Sequence, residues 1–134
     1  MNNSMSDTDK KTILIVEDEE PLLNVLSDRL ADEGFEVLGA HDGAEGFALA
    51  SKHRPQLILL DIIMPRVNGL GMLKVLRQED WGQDLPVVVL TNVRDSHQMA
   101  EATELGVSGY LVKANWKLDD VVVKVKEKLG LTSE

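Results

Sequence analysis

QLILLDIIMP, residues 56–65, carries four successive apolar residues, Leu57 to Leu60, straight into Asp61. An unbroken apolar run of this length suits a strand covered on both faces, as in a parallel sheet. A carboxylate at the end of that strand would lie at the carboxyl edge of the sheet, where open α/β folds place their ligands. Pro65 and Asn68-Gly69 then turn the chain. An aspartate can also merely end a strand or cap a turn. The rest of the chain decides between the two.

Upstream, Thr12–Val16 (TILIV) is a second short apolar run, and it ends in Glu17-Asp18-Glu19-Glu20. Pro21 suits the first turn of a helix, and acids ahead of it favour the positive end of the helix dipole. Leu22, Leu23, Leu26 and Leu30 recur at helical spacing, and Gly34 is a natural stop. Phe35–Ala40 reads as a strand, with Val37 and Leu38 expected as its most buried residues. Asp42-Gly43 leads into a short helix through Phe47, Ala48 and Leu49, which ends by Pro55.

Downstream, Leu70–Gln78 is expected as a helix with Leu70, Leu73 and either Leu76 or Val75 towards the core. Gly82 and Pro86 bracket a loop, and Val87–Leu90 is a buried strand ending at Thr91. Ser96–Leu105 reads as a helix with a thin apolar face of Met99, Ala102 and Leu105, so it should be held weakly. Gly106 ends it. Ser108–Val112 is a fifth strand, carrying Tyr110 and followed by Lys113. The last helix, Trp116–Leu129, puts Leu118, Val121, Val122, Val125 and Leu129 on one stripe and leaves Val123 outside it. Alternating strands and helices imply a parallel sheet covered on both faces. The expectation is α/β: a flavodoxin-like, doubly wound, five-stranded sheet in the order 2-1-3-4-5 with five helices. Residues 1–10 read as a flexible lead, 11–130 as the domain and 131–134 as a tail.

Composition narrows the function. With 134 residues and 43% hydrophobic content, one domain with a proper core is expected. The chain has no cysteine, which rules out disulfide and thiol chemistry. Its start lacks the apolar stretch of a secretory signal, and no apolar run approaches the roughly 20 residues of a membrane helix. A cytoplasmic protein with no membrane role is expected. A net charge of −9 argues against direct DNA binding.

Four of the five strands end in a reactive residue: Glu17-Asp18, Asp61, Thr91 and Lys113. A parallel sheet gathers those ends along one edge. Crowded carboxylates repel unless a cation neutralises them, and Mg²⁺ prefers a few carboxylate oxygens together with water and phosphate. An aspartate can act as a nucleophile towards phosphorus and form an acyl phosphate. Lysine and threonine nearby could hold the anionic oxygens. Phosphoryl transfer asks mainly for such positioning and charge neutralisation.

ILIVEDE, LILLDIIMPRVNG, LPVVVLT and GYLVK together make the chain resemble the receiver domain of two-component response regulators, from about Lys11 to Leu129. The resemblance is to a receiver of the chemotaxis-regulator-like kind, expected to stand alone. The resemblance implies that Asp61 accepts a phosphoryl group from a phosphohistidine on a sensor histidine kinase or histidine phosphotransfer protein. It implies Mg²⁺, with Mn²⁺ as a substitute, held by Asp18, by Glu17 through water, by Asp61 and by the backbone carbonyl of Ile63. Lys113 would pair with the phosphoryl oxygens. Thr91 would swing to them and Tyr110 would follow inward. The surface of the fourth helix, fifth strand and fifth helix would change, for an unknown downstream protein or a phosphorylation-dependent dimer. Such a chain is a signalling switch and not an enzyme, assisting only its own phosphorylation and dephosphorylation.

Three positions depart from the family pattern, the mildest being Glu17 in place of the commoner aspartate, a change frequent in the family. Asn92 stands where a small residue usually follows the switch threonine, and its bulk could crowd the phosphoryl group or hinder attacking water. Ala114 stands where proline usually follows the lysine, often through a cis bond. A cis bond without proline costs about 3–4 kcal/mol, which leaves that loop's geometry open. These modulating positions sustain one alternative, a receiver-like interaction module that works without phosphorylation. Enzymes on similar folds fit less well. A haloacid-dehalogenase-type phosphatase wants a second acid at the position of Ile63, and a dinucleotide enzyme wants glycines where Glu17-Asp18-Glu19-Glu20 stands. His41, His53 and His97 show no ligand spacing and read as ordinary surface or half-buried residues.

Overall fold

Ile13–Val16 and Leu57–Leu60 become the middle of a sheet, where neither face meets water. A computed structural model of the protein describes residues 10–62, 69–91, 96–112 and 117–131, with Thr91 and Ser96 described by their backbone alone. The strands β1 (Thr12–Val16), β2 (Glu36–Ala40), β3 (Leu57–Leu60), β4 (Val87–Thr91) and β5 (Gly109–Val112) form one sheet in the order β2-β1-β3-β4-β5. Every pairing is parallel. The helices between and after them are α1 (Glu20–Asp32), α2 (Gly43–His53), α3 (Gly69–Arg77), α4 (Ser96–Glu104) and α5 (Leu118–Lys128). The doubly wound flavodoxin-like order expected from the sequence is the observed one.

Side-chain alternation along the strands divides the interior into two layers. Leu14, Val16, Ile58, Leu60, Val87 and Val89 face α2, α3 and α4, meeting Ala50, Leu70, Leu73, Leu76 and Ala102. Ile13, Ile15, Leu57, Leu59, Val88 and Leu90 face α1 and α5, meeting Leu23, Leu26, Leu30, Val121, Val122 and Val125. Leu76, and not Val75, joins Leu70, Met72 and Leu73 of α3 in the core; Val75 is exposed, as is Val123 on α5. The expectation for β2 needs correction. Val37 and Leu38 are only half-buried, because β2 is an edge strand, and Phe35 and Ala40 at its two ends are the buried residues.

Helix ends follow their local chemistry. Asp42 caps α2 by accepting the Glu45 N–H at 2.9 Å. Gly34 follows α1 with φ of 101°, a left-handed conformation that glycine adopts without steric cost. The Lys117 N–H before α5 donates to the Asp120 carboxylate at 2.7 Å.

The fourth helix is held in a different way from the others. Ala102 is the one residue of α4 in the buried core among those described. Polar contacts from α3 supplement this thin face. Lys74 Nζ lies 2.7 Å from Glu101 Oε2. Arg77 Nε donates to the Leu105 carbonyl at 2.7 Å and Nη2 to that of Gly106 at 3.1 Å. Its Nη1 donates to the carbonyls of Gly82 and Leu85 at 2.6 and 2.9 Å. One guanidinium therefore ties the loop after α3 to the end of α4. Burial lowers the Arg77 pKa from the ordinary arginine value, yet the group stays charged. Replacing Arg77 by methionine should cost about 1–3 kcal/mol by urea unfolding, because it strands half-buried carbonyls. Amide exchange should quicken at 105–107, and Arg77→Lys should recover only part of the loss, having fewer donors in a less fitting geometry.

Candidate functional site

The parallel register sets the site. Val16 stands opposite Leu60, so the residues that follow them meet at the carboxyl edge of the sheet. The ladder runs one step further: Asp61 N–H donates to the Val16 carbonyl at 3.0 Å, and Glu17 N–H to the Ala40 carbonyl at 2.9 Å. Glu17 and Asp61 are thereby fixed side by side, 1% and 4% exposed, with Asp18 exposed beside them. One carboxylate oxygen from each of Glu17, Asp18 and Asp61 can be chosen so that all lie within 4.8 Å of one another. Glu17 Oε2 also accepts the Glu19 N–H at 3.1 Å, which shapes the turn into α1.

The backbone carrying Asp61 is held closely from the other side. Gly69, the first residue of α3, donates its N–H to the Ile62 carbonyl at 2.8 Å. A Cβ on Gly69 would fall 2.3 Å from the Asp61 carbonyl oxygen and 2.7 Å from Ile62 Cα. Only glycine allows α3 to begin so close to the acidic strand end.

Of the other residues singled out in the sequence, Thr91 ends β4 opposite Val112, which brings the ends of β4 and β5 to the same edge. Tyr110 stands opposite Val89 and packs against the core under α2, α3 and α4. Its hydroxyl donates to the Met99 carbonyl at 2.7 Å and contacts the Thr103 hydroxyl. Ile63, Asn92, Lys113, Ala114 and Trp116 lie outside the described residues.

Two buried carboxylates and a third nearby demand positive charge, because desolvated like charges are costly unless they are compensated. Three oxygen donors with an exposed member on one side suit a hard divalent cation that keeps part of its water. The cluster could hold such an ion.

A family model described as the response regulator receiver domain matches residues 13–126. The chain belongs to the response regulator receiver family. It is 38% identical over 104 residues to the "Probable transcriptional regulator ycf27" of Cyanophora paradoxa, covering 78% of this chain and 42% of that protein. It is 32% identical over 123 residues to the DNA-binding response regulator MtrA of Mycolicibacterium smegmatis, covering 92% of this chain and 52% of that one. The receiver thus spans about half the length of the curated relatives it matches. Among solved structures, chemotaxis protein CheY4 of Vibrio cholerae superposes with a TM-score of 0.82 at 28% identity, over 88% of this chain and 98% of that one. A CheY-like receiver from Methanospirillum hungatei gives 0.84 at 27% identity, over 90% and 94% of the two chains.

The receiver also carries an ion-pair cluster that the sequence reading left aside. His41, directly after β2, has Nε2 2.8 Å from Glu20 Oε1 and Nδ1 3.2 Å from Glu45 Oε1. Its backbone N–H donates to the same Glu45 oxygen at 2.8 Å. Histidine and Glu45 are four residues apart, a spacing visible in the sequence; Glu20 reaches the ring only through the fold. The hydrogen bonds to Glu45 and then Glu20 raise the His41 pKa above its ordinary value of 6.5. A raised folded pKa contributes stability that is fully present below the ordinary histidine value and is lost as pH rises through the folded one. Unfolding of the wild type followed from about pH 5 to 8 should show this loss, and His41→Gln should remove it.

Proposed function

We propose that this receiver accepts a phosphoryl group on Asp61 and works as a signalling switch in a phosphorelay. The observation that carries the reading is Asp61 itself: a buried carboxylate at a strand end, with Glu17 and Asp18 within reach of one common ion. An Asp61 carboxylate oxygen attacks the phosphorus of a phosphohistidine on a sensor histidine kinase or histidine phosphotransfer protein. The phosphorus–nitrogen bond breaks, the imidazole leaves with the electron pair and takes up a proton, and an acyl phosphate remains on Asp61. Glu17, Asp18 and Asp61, with the Ile63 carbonyl, would hold Mg²⁺, which supplies positive charge opposite the carboxylate and phosphoryl oxygens.

In this reading Lys113 pairs with the phosphoryl oxygens and Thr91 hydrogen-bonds them. Tyr110 then moves inward, and the α4-β5-α5 surface changes for a downstream protein or a second copy of the chain. A helix held by few buried side chains and several polar contacts is one that new acceptor oxygens can bias. Asn92, next to the switch threonine, slows loss of the phosphoryl group by crowding the water that attacks it, and Ala114 modulates the loop behind Lys113. Residues 11–130 form the functional unit, working in the cytoplasm. Relatives named as DNA-binding or transcriptional regulators extend well beyond the matched segment. With a net charge of −9 over the chain, output from this segment is read by protein contact and not by gripping DNA.

Incubation with acetyl phosphate and Mg²⁺ should add a phosphoryl-sized increment to the intact mass. Asp61→Asn and EDTA should each abolish it. If wild-type protein gains no mass and also fails to bind beryllofluoride, the phosphoacceptor reading is wrong, and a phosphate-independent interaction module takes its place.

A further inference from the structure

Thr103 has no part in the phosphoryl chemistry, yet it meets Tyr110, the residue that the proposed switch moves. It is exposed on α4, where a threonine gains nothing from propensity or from burial. Its hydroxyl donates to the Met99 carbonyl one turn back, at 2.8 Å. The Tyr110 hydroxyl reaches the same carbonyl at 2.7 Å, and the two hydroxyls touch each other. Three oxygens therefore share two protons. Either Thr103 donates to Met99 and Tyr110 to Thr103, or Tyr110 donates to Met99 and Thr103 to Tyr110. Both arrangements keep the ring on the helix. Without the threonine hydroxyl only a single bond, to a carbonyl already engaged in the helix ladder, remains.

The position of that bond matters because of how α4 is fastened. Lys74 and Arg77 hold its flank and end from α3. Tyr110 holds its middle from β5, on a helix whose described core contribution is Ala102. Releasing the tyrosine would free the side of α4 that faces β5 while leaving the side that faces α3 attached.

We propose that Thr103 is the latch of the switch: a positioning residue on α4 that holds the Tyr110 hydroxyl in the resting protein and so sets how far the ring is already released before any signal. The inference rests on the phosphoacceptor reading for its trigger; the latch itself belongs to the unmodified chain.

Tyr110 is the only tyrosine in the sequence, so protein labelled with ¹³C-tyrosine gives one ring signal. In unmodified protein, Thr103→Val keeps the side-chain shape and removes the hydroxyl. It should move the Tyr110 signal and raise the population with the ring released from α4 and turned inward, read from its protection against a soluble paramagnetic probe, by about threefold to tenfold, the equilibrium equivalent of one net hydrogen bond. Thr103→Ser restores the hydroxyl and should stay with the wild type. An unchanged ring signal and exposure in Thr103→Val, with helix content intact by circular dichroism, overturns the latch. So does a displaced ring in Thr103→Ser. Beryllofluoride with Mg²⁺ should shift the wild-type ring in the same direction as Thr103→Val. A ring that responds to Thr103→Val and not to beryllofluoride supports the latch as an anchor of α4 and overturns phosphorylation as its trigger.

Discussion

Two buried carboxylates standing shoulder to shoulder at the ends of neighbouring strands are the constraint on which the rest of this receiver turns. Glu17 and Asp61 do not meet through loop flexibility. The Val16–Leu60 register and the hydrogen bond from Asp61 N–H to the Val16 carbonyl put them there. The strands behind them are apolar on both faces, so the register cannot slip without dragging leucines and valines into water. Apolar burial across the sheet thus holds negative charge where it would otherwise disperse. Carboxylates gathered in this way suit the edge to a hard cation.

The two layers differ in how tightly they are bound to this edge. On one face α1 and α5 bury leucines and valines, and ion pairs join them: Arg29 to Asp119 at 2.7 Å, and Glu33 to Lys126 at 2.9 Å. On the other face α3 begins against the Asp61 backbone through Gly69, and α4 is tied to α3 and β5 by hydrogen bonds and an ion pair more than by packing. Apolar packing is insensitive to a new charge nearby, whereas hydrogen bonds can be exchanged for others of similar energy. α3 thus begins at the acidic site, and α4 is joined to α3 by polar contacts.

Much of this was legible in the chain. Runs such as TILIV and LILL announce doubly covered strands, and acids directly at their ends announce an edge site, because strand direction is common in a parallel sheet. The thin face of Ser96–Leu105 announced a loosely packed helix, and Ala102 is its described core residue. Edge effects were harder to read: Val37 and Leu38 looked like core residues, but β2 is the edge strand of the sheet and both are only half-buried. Contacts made by long polar side chains were not readable at all. Arg77 reaches carbonyls on two loops, His41 meets Glu20 across a strand and a helix, and Thr103 finds Tyr110 only because β5 returns beside α4. Such partners depend on where the fold brings backbone oxygens, which no local pattern records.

The most direct test of the central claim is urea stability of the unmodified protein with and without Mg²⁺, in wild type and in Asp61→Asn. If the carboxylates are held together against their own repulsion, Asp61→Asn should be more stable than the wild type without cation. Wild type should gain about 1.4 kcal/mol at a Mg²⁺ concentration ten times the dissociation constant, and the variant should gain much less. A wild type indifferent to Mg²⁺, together with an Asp61→Asn no more stable than it, would contradict the account.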